Sequence, residues 1–158
     1  MTHGLAPLIA ERAPAWFHIK AGGEGSLSGS ARPHRTGWQD SGLDLRISVL
    51  GQSAEVAELT PGTYLPTYCP ERHIQPDSTF CLGLEARPVR SRRQADLWWT
   101  ELQTFLLCQS IAADTRLWPP QHALDHGDAG RYHRFAIRLA KDLGIEQAWT
   151  PISTRRHG

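Results

Sequence analysis

An α+β fold, strands first and helices after, is predicted from three features of the 158-residue sequence. Period-two hydrophobic alternation is confined to the first half, helical periodicity to the second, and a long proline-bearing segment lies between them. Segregated strands and helices pack as an antiparallel meander with helices on one face, not as repeated strand–helix–strand units. The length suits one core and therefore a single domain, residues 1–158.

The elements follow in order. "AWFHIKA" alternates, with Trp16, His18 and Lys20 on one side and Phe17 and Ile19 on the other. "GGEGSLSGSARPHRTG" is rich in turn residues. "LDLRISVLG" is the clearest strand: Leu43, Leu45, Ile47 and Val49 share one face and Asp44, Arg46 and Ser48 the other. "SAEVAELT" follows the Gly51-Gln52 turn as its partner. Ser91 and Gln94 then fit a capping box that satisfies free N–H groups at a helix start. Trp98, Leu102, Phe105, Gln109 and Ala112 recur at helical steps, which predicts a helix over 92–114, stopped by "WPP" at 118–120. Tyr132, Phe135, Ala136, Leu139, Ala140 and Leu143 form a second apolar stripe, with Gly144 as its C-terminal cap.

Composition excludes several classes. Hydrophobic content is 40% and charged content 21%, as in globular proteins. The net charge of +1 argues against general nucleic-acid or membrane binding, and no apolar run reaches the roughly 18 residues a bilayer requires. The N-terminus lacks the basic lead and apolar stretch of a secretion signal. Three cysteines do not make a disulfide framework, so a reducing cytoplasm is expected. Arg87, Arg90, Arg92 and Arg93 crowd one segment. That is either a solvated loop or a positive field for an acidic partner segment.

The segment Thr60–Arg90 carries the chemistry-bearing residues, in a connection too long to be mere linkage. Cys69, His73 and Cys81 allow three readings. They could ligate zinc, with His122 or His126 completing four donors, although the paired-cysteine spacing of structural zinc sites is missing. Cys81 could be a buried hydrophobe, the role that suits Cys108 within the first long helix. Or Cys81 could be a nucleophile: Phe80 and Leu82 would point inward from an extended segment while Cys81 points away. Nearby guanidinium groups would then favour its thiolate.

"HIQPDSTFCLGL" resembles the active-site segment of ubiquitin-conjugating enzymes, where a His-Pro-Asn-Ile motif precedes a Gly-x-Ile-Cys-Leu motif. Laid without gaps, Ile74 meets the family's isoleucine, Asp77 and Ser78 its Asn-Gly turn, and Phe80 its second isoleucine. Cys81 meets the catalytic cysteine and Leu82 the leucine after it. His73 stands at the asparagine position, Glu71 and Arg72 replace His-Pro, and Trp98 or Trp99 matches the tryptophan beyond the cysteine. "LPTYCPERHI", "WW", "CQ", "WPP" and "HGDAG" further resemble the compact bacterial homologues of type II CBASS antiphage operons.

The resemblance implies a ubiquitin-conjugating-type fold and a thioester-forming acyltransferase with Cys81 as nucleophile. At the asparagine position His73 is expected to polarise the oxyanion, the alternatives being that it takes a proton from an attacking amine or pins the loop. The charge cluster Arg87, Arg90, Arg92 and Arg93 is expected to dock the acyl donor or acceptor, and His126, before the last helix, could close over the cysteine. The implied acyl donor is the C-terminus of a cGAS-like nucleotidyltransferase. No cofactor and no metal are expected, no nucleic acid and no membrane, and a homodimer is left open. Neither a G-x-G-x-x-G nucleotide loop nor a C-x-x-C pair is present, so activation would come from another protein. A non-catalytic interaction module with the same fold is the rival.

Overall fold

The computed structural model describes residues 5–83, 88–122, 139–140 and 142–144. It divides into two compact units, 1–122 and 123–158.

The first unit opens with a short helix, α1 (Leu5–Glu11), which no sequence signal announced. Four strands follow, β1 (Phe17–Gly22), β2 (Ser26–Ala31), β3 (Leu43–Leu50) and β4 (Ser53–Glu58). They form one antiparallel sheet in the order β1-β2-β3-β4, the expected meander. In β3 the alternation holds: Leu43, Leu45 and Ile47 are fully buried, each contributing roughly 1.5–3 kcal/mol of transfer free energy. Gly51 takes a positive φ of 61° in the β3–β4 turn, where a side chain would be strained.

Strand β2 corrects the turn-rich reading of residues 22–37. "SLSGSA" pairs with β1 on one edge and β3 on the other. Its small residues serve close packing and not turning. A Cβ on Gly29 would lie 2.5 Å from the His18 carbonyl oxygen and 2.6 Å from Cζ of Phe17. The Phe17 ring therefore lies over a position that only glycine can occupy.

Helix α2 (Arg92–Thr115) matches the predicted 92–114 to a residue. Ser91 caps it by accepting from the Gln94 N–H, while Gln94 Oε1 reaches back to the N–H of Arg90 at 2.7 Å. This is a capping box displaced by one residue. Trp98, Trp99, Leu102, Phe105 and Leu106 are buried in a core shared with β3, β4, Ile74 and Phe80. At the strand end, the buried Glu58 carboxylate accepts N–H groups of Gly62, Tyr64 and Leu65, which folds the chain away from the sheet toward the cysteine segment.

In the second unit Leu139, Ala140 and Asp142 are helical, and Gly144 has a positive φ of 68°, as a C-terminal cap requires. The rest of the predicted second helix lies outside the described residues. Among the described residues, no helix is long and apolar enough to cross a membrane.

Candidate active site

The cysteine segment is held as an irregular extra edge of the sheet. Ala57 of β4 is bridged antiparallel to Thr79, and the Phe80 N–H donates to the Val56 carbonyl at 2.8 Å. On the other side Ile74 bridges both Phe80 and Cys69, and the Cys81 N–H donates to the His73 carbonyl at 2.8 Å. Phe80 stacks on Phe105 of α2 with centroids 4.6 Å apart. The expected alternation holds in part: Phe80 is core and Cys81 is half-buried, but Leu82 is half-buried too and lines the same cleft as Cys81.

The turn before the cysteine is built by its own side chains. Asp77 Oδ1 accepts from both the N–H and the hydroxyl of Thr79, at 3.0 and 2.7 Å, and these bonds hold its carboxyl below the usual range. Ser78 adopts a left-handed φ of 67°, and its hydroxyl donates to the Thr67 carbonyl at 2.8 Å. That is the conformation the glycine of an Asn-Gly turn supplies without strain. The serine's bond to Thr67 offsets the cost here.

His73 is also left-handed, φ 58°, at the end of a 3-10 turn, Pro70–Arg72. Its ring lies 4.9 Å from that of Trp118, and the residue is only 7% exposed. It meets Cys81 through its backbone carbonyl. One residue earlier, Arg72 donates to the side-chain and main-chain oxygens of Gln109, at 2.8 and 3.2 Å, and Gln109 Nε2 returns a bond to the Arg72 carbonyl. This interlock of the 3-10 turn with α2 had no sequence signal beyond a polar residue at a helix core position.

The Cys81 thiol contacts the carbonyl of Gly83 at 3.3 Å. Burial pushes its pKa up, and a backbone hydrogen bond at Gly83 opposes this in smaller measure. The direction is opposite to that of an arginine-stabilised thiolate, and among the described arginines of the cluster two are engaged elsewhere. Arg90 donates to the side chain of Gln52, and Arg92 pairs with Glu11 at 2.7 Å. Arg93 is exposed. Desolvation has the larger effect on the sulfur. Arg87 and His126 lie outside the described residues.

The other thiols are apart from this one. Cys108 is buried in α2, as predicted, and Cys69 donates to Glu71 at 3.5 Å. Among the described residues no group of three His, Cys, Asp or Glu side chains is disposed to hold a metal ion, so Cys69, His73 and Cys81 do not assemble the zinc set.

Cys81 opens onto a cleft of about 410 Å³ between β4, the cysteine segment and the first turns of α2. Its walls include Leu82, Val89, Leu97 and Trp98, with Gln75, Glu55 and Glu101 as polar groups. Glu55, two residues before the bridged Ala57, lines this cleft together with Cys81. The sequence does show Glu55 on the wet face of its strand. Its place beside the cysteine follows from a long-range pairing that periodicity does not encode.

Residues 16–120 match the family model described as the Prokaryotic E2 domain. No curated protein and no solved structure matches the chain.

Proposed function

The chain belongs to the Prokaryotic E2 domain family, and from that premise we propose that it is a ubiquitin-conjugating-like acyl carrier with Cys81 as the acylated residue. The observation that supports this best is a half-buried thiol at the mouth of a cleft large enough for a peptide terminus, on a segment braced from both sides. In the reaction Sγ attacks the activated carbonyl carbon of a partner's C-terminus, supplied as an adenylate or a prior thioester. The S–C bond forms, the bond to phosphate oxygen or donor sulfur breaks, and the thiol proton leaves with that group. His73 acts as a positioning residue, through its carbonyl on Cys81 and its ring on Trp118. The donor is the C-terminus of a cGAS-like nucleotidyltransferase in an antiphage operon, and Arg90, Arg92 and Arg93 offer that partner a basic surface at the start of α2.

One observation favours a second reading. A thiol raised by burial is not poised as a thiolate, which suits a module that binds its partner without covalent chemistry. Mixing the protein with its operon partner and an activating enzyme separates the two on non-reducing gels. The carrier gives a thiol-labile adduct that disappears in Cys81→Ala and persists in Cys69→Ala and Cys108→Ala. Persistence in Cys81→Ala contradicts the choice of sulfur, and co-elution with no adduct in any variant supports the binding module.

A further inference from the structure

Acyl transfer to a sulfur passes through a tetrahedral carbon whose oxygen gathers negative charge, so an N–H donor aimed at that oxygen speeds the step. His73, the residue expected to supply one, is buried with its ring against Trp118, and it reaches the cysteine through its main-chain carbonyl. Another side chain is better placed. Gln75 lines the cleft together with Thr79 and Cys81, and it is exposed there. Two main-chain hydrogen bonds flank the Ile74–Phe80 bridge. The Cys81 N–H donates to the His73 carbonyl at 2.8 Å on one side, and the Gln75 N–H donates to the Thr79 carbonyl at 2.9 Å on the other. Ile74 and Phe80 turn into the core, while Gln75 and Cys81, next to them, line the cleft. Side chains set diagonally across antiparallel strands in this way have Cβ atoms about 7–8 Å apart, a gap that a long side chain bridges. The Gln75 carbonyl also accepts from the Ser78 N–H at 2.9 Å, so the residue's backbone is held on both sides.

We propose that Gln75 is a catalytic residue of this site, its carboxamide Nε2–H donating to the oxyanion formed as Cys81 takes up the acyl group. The inference rests on the reading of Cys81 as the acyl carrier. Sγ attacks the carbonyl carbon and the π pair moves onto the oxygen, where Gln75 holds it. When the pair returns, the carbonyl re-forms, the bond to the leaving sulfur breaks, and the thiol proton departs with that sulfur. Gln75 gives and takes no proton in the cycle. It stabilises a charge that exists only between reactants and products, and so acts on the rate. A carboxamide suits this task beside a neutral thiol, because it donates a hydrogen bond at any pH without adding a charge of its own.

A short peptide thioester of a simple mercapto acid tests this on the full chain, with transfer onto Cys81 followed by intact mass. Gln75→Glu keeps the length of the side chain and removes both N–H donors. Gln75→Ala removes the side chain beyond Cβ. Alkylation of Cys81 by a small haloacetamide is the reference reaction, because that displacement builds no charge on a carbonyl oxygen. It depends on the same thiolate population and the same access, so the ratio of acylation to alkylation rates isolates the oxyanion. That ratio should fall by about 10²-fold in both variants, the loss expected for one oxyanion donor. Thermal unfolding checks that each variant is folded. An unchanged ratio overturns the inference and leaves the carrier reading intact, whether the two rates both hold or fall together. In the second case Gln75 serves only to shape the segment. No transfer onto Cys81 in the parent protein removes the carrier reading, and the role of Gln75 with it.

Discussion

At the scale of the residue, the Cys81 sulfur is governed by two opposed influences. Burial disfavours the charged form, and one backbone hydrogen bond at Gly83 favours it less strongly. The sign is therefore upward, and the group is a neutral thiol at physiological pH. Alkylation by a small haloacetamide should climb with pH through about 8.5, the ordinary thiol value, without levelling there. A plateau reached near neutrality would contradict the assignment. A neutral resting thiol still suits exchange chemistry, since its proton can depart with the leaving group. The local motif was readable at this scale because it is built from consecutive residues: Asp77, Ser78, Phe80 and Cys81 each occupy the place the sequence pattern gave them. The sulfur's electrostatics were not readable. Arg90 and Arg92 are close to Cys81 in sequence, but Gln52 and Glu11 engage them in space.

At the scale of the element, β3 and α2 were legible because each carries its own periodicity, the one alternating and the other helical. Strand β2 was not, because its side chains are small for a reason that lies in β1. Gly29→Ala places a methyl against the Phe17 ring and the His18 carbonyl, and overpacking of this kind costs roughly 1–3 kcal/mol. Chemical denaturation should show that loss, and a variant as stable as the parent would contradict the packing described. The tie between the 3-10 turn and α2 makes a second prediction. Gln109→Leu removes both partners of Arg72 on the side chain of a fully buried residue, leaving a guanidinium and a carbonyl to find others. Stability should fall by about 2 kcal/mol. Hydrogen exchange at Ile74 and Cys81 should quicken with it, because the 3-10 turn anchors that segment. Unchanged exchange would separate the interlock from the site.

At the scale of the whole molecule, the meander presents β4 as a platform, α2 supplies the wall, and the cysteine segment is laid between them. Class and element order were legible from the segregation of periodicities along the chain. The cleft was not, since Glu55, Cys81 and Leu97 meet only through long-range pairing and packing. The central proposal is that Cys81, at the mouth of this cleft, carries another protein's carboxyl terminus as a thioester. Intact mass spectrometry of the protein co-expressed with its operon partner and activating enzyme tests it most directly. The account predicts a species at the summed mass of the protein and the partner less one water, reverting to the free masses with added thiol. In Cys81→Ser the species should persist in thiol, as an ester would. Unmodified masses alone, or an adduct on any other residue, would contradict it.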